Sequence, residues 1–172
     1  MLKNFFRRVI QVLVIVAIVV ALIFTAMYFL TDRENQVGDV SLGVLTSRDI
    51  KIEKMVDPKI PGVTCYIAHV KGNFDFVDPS NSSISCRQTG PINIEHMQSI
   101  DLSDHGEIVF KKSKSIFLKA MKIRRIFDKN SKTLLYLSYS TTEIDGNYEH
   151  SLSTVPLYGN PVWDEVDSLM AL

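Results

Sequence analysis

Residues 9–30 form a run of 22 positions without a charged side chain, and only Gln11, Thr25 and Tyr28 among them carry polar groups. As a helix rising about 1.5 Å per residue, such a run is about 33 Å long, enough to cross a hydrocarbon core of about 30 Å. A helix buried in a soluble core is usually shorter and keeps a polar stripe, which this one lacks. Lys3, Arg7 and Arg8 precede the run; Asp32, Arg33 and Glu34 follow it. The positive-inside bias then leaves residues 1–8 in the cytoplasm and sends the rest of the chain across the membrane. A cleaved signal peptide has the same charge order but a shorter apolar region of about 7–15 residues. The expectation is an uncleaved, single-pass anchor in a bacterial inner membrane, with a soluble periplasmic form after cleavage as the alternative.

Export decides how the two cysteines are read. Cys65 and Cys86 have 20 residues between them and no Cys-x-x-Cys spacing. The four histidines, His69, His96, His105 and His150, are scattered, whereas a structural zinc site needs four convergent ligands. In an oxidising compartment an even cysteine count reads as a bridge, and closing a loop of this length is worth about 3 kcal/mol. A Cys65–Cys86 disulfide is expected.

The exported part has the size of one domain. Residues 50–58 alternate and end at Pro58, 63–70 are β-branched and aromatic, and 83–89 alternate with Ile84, Cys86 and Gln88 on one face. Residues 107–111 make a further short strand. The runs 115–127 and 133–140 flank the turn formers Asp128 to Lys132 and predict a hairpin, followed by a final strand near 151–157. Helix is expected only over 94–102 and 162–169, the latter with Trp163, Val166, Leu169 and Met170 on one face. The fold class is therefore mainly β with minor α, an α+β arrangement being the alternative. It is a single compact antiparallel domain stapled by one disulfide and preceded by one N-terminal transmembrane helix. The expected division is a cytoplasmic stub over 1–8, the anchor over 9–30 and a juxtamembrane linker over 31–43. The domain follows over 44–158, with a tail over 159–172 that holds a short amphipathic helix.

Val63-Thr-Cys-Tyr, Ile84-Ser-Cys-Arg-Gln-Thr-Gly-Pro-Ile, Val109-Phe-Lys-Lys and Leu135-Tyr-Leu-Ser-Tyr-Ser together resemble the CreA family of exported bacterial proteins. Ala120-Met-Lys-Ile-Arg-Arg-Ile-Phe-Asp and Ser153-Thr-Val-Pro fit the same pattern, so that the resemblance runs over about residues 37–158. It implies a small Gram-negative periplasmic protein, linked by gene neighbourhood to a two-component carbon-response system. It implies no catalytic residues and no cofactor. The family's ordinary signal peptide is replaced here by the longer apolar run.

Charge is segregated along the chain. Residues 111–132 hold nine basic side chains against Asp128 alone, whereas 32–110 hold seven basic and twelve acidic ones. In an alternating strand Lys122 and Arg124 share one face, while Arg125 falls with Met121, Ile123 and Phe127. A solvated, edge-protecting face is one reading of this hairpin. The sharper one is a surface of Lys119, Lys122, Arg124 and Arg125 that meets an anionic lipid or an acidic envelope protein, nucleic acid being excluded outside the cytoplasm. Glu95, His96, Asp101, Asp104, His105 and Glu107 lie close in sequence but without the i, i+4 spacing of a metal helix, and Ser151 lies in no Gly-x-Ser-x-Gly elbow. The expected function is a non-catalytic, membrane-anchored binding or envelope-signalling module without metal or cofactor. Its alternative is a periplasmic enzyme built around His96 and His105.

Overall fold

The computed structural model describes residues 2–43, 48–72, 82–113, 120–141, 143 and 148–170. Two compact units divide the chain, Met1–Gln36 and Val37–Leu172. The first is one helix, α1 (Leu2–Glu34), which encloses the whole uncharged run. Its side chains are described at Arg7, Arg8 and 10–26, and over the described residues no helix is long and apolar enough to cross a membrane. The flanks of the expected 9–30 span lie outside that set. The structure thus shows the uncharged run as part of one continuous helix.

The second unit is two four-stranded sheets, in the orders β1-β2-β3-β4 and β5-β6-β7-β8. The strands of the first are β1 (Gln36–Ser41), β2 (Arg48–Val56), β3 (Val63–Gly72) and β4 (Ser82–Gln88). After a one-turn α2 (Ile94–Gln98) come β5 (Glu107–Ser113), β6 (Ala120–Asp128), β7 (Thr133–Ser140) and β8 (His150–Pro156). Strands adjacent in sequence pair, and the β2–β3, β3–β4, β5–β6, β6–β7 and β7–β8 ladders are antiparallel. Alternation buries one face of the central strands β3, β6 and β7. Val63, Cys65 and Ile67 of β3 meet Ile123 and Phe127 of β6 and Leu134 and Tyr136 of β7 in one core cluster. The tail adds two single-turn helices, α3 (Val162–Glu165) and α4 (Asp167–Met170), which bury Val162 and Val166.

Cys65 and Cys86 stand directly opposite each other on β3 and β4 and are joined by a disulfide, with Cα atoms 3.9 Å apart. The Cys86 N–H does not donate back to β3; it points out of the sheet edge and donates to Ser153 Oγ of β8 at 2.7 Å. Ile84 N–H donates to Ser151 Oγ at 3.4 Å in the same way. Serine hydroxyls of β8 thus satisfy edge donors of β4 and close one side of the sandwich without a shared ladder.

Several expectations are revised. The linker expected over 31–43 holds the end of α1 and strand β1, because Val37 and Val40 continue a strand that sits beside β2. The helix expected over 94–102 ends at Gln98, since Ser99 turns the chain and Asp101 accepts from Ser103 N–H to form a polar turn. The helix expected over 162–169 is split at Val166, and its buried positions are Val162 and Val166, with Trp163 and Leu169 half-buried. The hairpin is present, but its first strand is described only from Ala120, residues 114–119 lying outside the described set.

The staple has a measurable consequence. Cys86→Ser, or reduction of the native protein, is expected to lower unfolding stability by about 2–5 kcal/mol in denaturant titration. Ser153→Ala is expected to cost about 1–3 kcal/mol by leaving the Cys86 N–H without its acceptor. Ready labelling of both thiols without reductant would contradict the first expectation.

Candidate functional site

Among the described residues, ionisable side chains are buried in the sandwich at two places. At the first, Asp57 follows β2 at the Asp-Pro turn, fully buried. Its Oδ1 accepts from the N–H groups of Lys59 at 2.9 Å and Ile60 at 3.0 Å, an Asx turn that ends the strand. Arg125 of β6, 1 % exposed, brings Nη1 to 2.5 Å from both Asp57 oxygens. Tyr136 of β7 donates its phenol to Asp57 Oδ2 at 2.7 Å. Arg125 Nη2 donates to Glu107 of β5, which also accepts from Asp101 N–H at 3.0 Å and pairs with Lys59 Nζ at 2.7 Å. One network therefore joins the end of the first sheet to three strands of the second.

The electrostatics follow from that geometry. Burial, reinforced by the Asp57 carboxylate, pushes the Tyr136 phenol well above its ordinary range, so Tyr136 remains a neutral donor. For Glu107, burial opposes ionisation, but hydrogen bonds from Lys59 and Asp101 and the charge of Arg125 outweigh it and hold the carboxyl below its usual value. The network fixes charge in place, and every oxygen of Asp57 is engaged within the protein.

At the second place, Glu53 of β2 pairs with Lys112 of β5, and His69 Nε2 of β3 lies 3.6 Å from the same Glu53 oxygen. Ser138 of β7, fully buried, meets Ser82 Oγ at 3.4 Å. This is a second carboxylate–ammonium link between the two sheets, with an imidazole beside it.

The residues singled out from sequence are distributed differently from the expectation. Arg125 is a correction: it points into the core and contributes nothing to a cationic surface, because it shares the inward parity of Met121, Ile123 and Phe127. Lys122 and Arg124 lie on the outer face, half-buried, and Arg124 Nη1 donates to the carbonyls of His105 at 2.7 Å and Gly106 at 3.0 Å. Lys119 lies outside the described residues. His96 is used locally: its N–H donates to Asn93 Oδ1 at 3.1 Å and its ring accepts from Asn93 N–H at 3.4 Å, a reciprocal cap on α2. His105 is exposed in the turn that Arg124 holds. Among the described residues no three or more His, Cys, Asp or Glu side chains are arranged to hold a metal ion.

Sequence alone does not point to Asp57, Tyr136 or Glu53, and it offers His69 only as one of four scattered histidines. Strand parity was the available signal, since Glu53, Met55 and Asp57 must share a face, but Ile50, Ile52 and Val56 offer the opposite face as the apolar one.

The class so defined is a disulfide-stapled antiparallel sandwich whose sheets are clamped by buried ion pairs. The family profile "CreA protein" matches residues 37–160, more than half of the chain. Protein CreA of Escherichia coli strain K12 is 33% identical over 114 residues, covering 63% of this chain and 72% of the relative. Its counterparts in Escherichia coli O6:H1 strain CFT073 and O157:H7 match with the same values. The chain belongs to the CreA family. No solved structure matches it.

The network predicts a pH dependence of definite sign. Glu107 has a depressed pKa, so its contribution is present above the unfolded carboxylate value, about 4.3, and is lost as pH falls through the lower folded value. Tyr136 has a raised one, so its contribution is present below about 10 and is lost as pH rises above that. Unfolding followed against pH should show both flanks, with Glu107→Gln removing part of the acid one and Tyr136→Phe the alkaline one. Asp57→Ala should cost about 3–5 kcal/mol by leaving buried Arg125 with only Glu107 to balance its charge.

Proposed function

We propose that this protein is a membrane-anchored, non-catalytic binding module of the bacterial envelope, with α1 in the inner membrane and the sandwich in the periplasm. The observation that carries this reading is the surface of α1. Its described apolar side chains, from Ile10 at 56 % to Phe24 at 70 %, are exposed on every side of the helix. A helix that is apolar all round needs an apolar environment rather than one packed flank. Arg7 and Arg8 at its start favour a cytoplasmic N-terminus, and the disulfide of the following domain suits an oxidising compartment. For the module, catalysis is disfavoured because its interior charged groups bind one another across the sheets, which leaves recognition to the outer surface.

Topology tests the anchor. Alkaline phosphatase fused after Leu172 should be active in intact cells, and the full-length chain should stay with the membrane fraction after alkaline extraction. A shortened, freely soluble periplasmic form would overturn the anchor while leaving export in place.

A further inference from the structure

The outer face of the second sheet is not the solvated polar surface that the cations of its strand β6 suggest. Cross-strand register sets Lys111, Lys122, Tyr139 and His150 in one row. The next row is Ile108, Arg124, Leu137 and Leu152, and the third brings Ile126 beside Leu135 and Thr154. On β6, β7 and β8 these positions alternate with more buried ones and therefore face outward, and register sets Ile108 and Lys111 of β5 beside them on either side of the bulge between Ile108 and Phe110. Ile108 is 44 % and Leu152 57 % exposed, with Leu135, Leu137, Ile126 and Tyr139 half-buried between them. The result is an apolar ridge over four strands with cations along its β5–β6 flank.

The charges on this face oppose the stability of an isolated domain. Lys111 and Lys122 are directly opposite one another, and like charges in that position destabilise a sheet. No carboxylate in these rows relieves them. Among the paired outward positions of this sheet the single carboxylate is Asp128, at the turn, where Ser131 Oγ donates to it at 2.6 Å and Asn130 N–H at 3.0 Å. Inside the same strands the opposite holds: Lys112 and Arg125 each meet a carboxylate. The outward cations are thus paired with nothing of opposite sign in their own rows, beside exposed leucine.

We propose that this face docks flat on the surface of an anionic phospholipid bilayer. Leu137, Leu152 and Ile108 would enter the headgroup boundary, Tyr139 would sit at the interface with its hydroxyl wet, and Lys111 and Lys122 would reach lipid phosphates, with Arg124 held beside them on the His105–Gly106 turn. Apolar area and attraction to anionic lipid add in such binding. The long cationic side chains can extend along the apolar surface while their heads stay in the headgroup layer. A second copy of the chain is a poor occupant, because apposed faces would bring the same cations together. The inference rests on the anchored reading, in that a tether holds the face near the bilayer and raises its effective concentration there.

The test uses the full chain in nanodiscs of phosphatidylcholine alone or mixed with phosphatidylglycerol. An environment-sensitive fluorophore is attached without reductant at Leu152→Cys, or at Ser85→Cys on the exposed outer side of β4. In anionic discs the Leu152 label should shift to the blue and be quenched by a lipid-borne quencher, with the Ser85 label unchanged. Lys111→Gln with Lys122→Gln should lower the docked-to-free ratio about thirtyfold, the equivalent of about 2 kcal/mol for two cations. Salt should reverse the docking. A Leu152 label that stays as wet as the Ser85 label in anionic discs overturns the proposal. So does shielding that needs an added envelope protein and no anionic lipid, which would make the occupant an acidic partner. Failure of the anchor is read separately, as loss of the chain from the discs on alkaline washing. In that event the labelled chain is added to preformed vesicles, and the same quenching supports or overturns the docking.

Discussion

Arg125 and Asp57 meet where water does not reach, and the rest of the sandwich is arranged around keeping them together. Moving a guanidinium and a carboxylate into a core costs several kcal/mol per ion unless geometry and additional hydrogen bonds compensate. Here Asp57 ends β2, takes two backbone N–H groups into its Asx turn and accepts the Tyr136 phenol. Glu107 then holds the second arm of Arg125. For β5 to bring Glu107 that close, the preceding turn must approach β6, and Gly106 makes this possible: its φ is +54°, and a Cβ there would lie 2.0 Å from Arg125 O. A side chain at that position would push the turn away and leave Arg125 with half its partners.

The opposite side of the sandwich is closed by different means. The disulfide ties β3 to β4 at Cys65 and Cys86, and Ser151 and Ser153 accept the outward N–H groups of β4. The two sheets are thus joined by ion pairs at β2 with β5 and β6, and by hydroxyl-to-backbone bonds at β4 with β8. At the far end of the β6–β7 hairpin, Lys132 adopts a positive φ of 47° and reaches Asp167 at 2.7 Å and the carbonyl of Trp163 at 2.9 Å. Its ammonium also lies over the Trp163 ring at 4.7 Å, which fixes the tail against the hairpin.

Much of this architecture was legible in the sequence. Alternation gave the strands, the turn formers from Asp128 to Lys132 gave the hairpin, and compartment reasoning gave the disulfide, which the structure places on directly paired residues. Parity even set Arg125 on the inward face with Met121, Ile123 and Phe127; grouping it with the surface cations weighed its charge above its position. Asp57 and Glu53 were illegible for a physical reason. A carboxylate is read as exposed unless its partner is known, and theirs, Arg125 and Lys112, lie 68 and 59 residues away. β1 was hidden because a polar stretch after an apolar helix reads as linker until a neighbouring strand is there to pair with it. The apolar ridge was visible as Leu135, Leu137 and Tyr139, but only the register shows that it continues onto Ile108 and Leu152.

The central claim, that a buried charge pair clamps the two sheets, is tested most directly by a double-mutant cycle. Asp57→Leu, Arg125→Met and the combination would be compared by urea unfolding of otherwise unchanged protein. Each single change should cost about 3–5 kcal/mol, since Arg125→Met leaves buried Asp57 without a cation and Asp57→Leu leaves buried Arg125 with Glu107 as its one carboxylate. The double change should cost less than their sum by about 2 kcal/mol or more, because no charge is then left unpaired. Additive losses would mean that the two residues act independently and that the sheets are held together by something other than this pair.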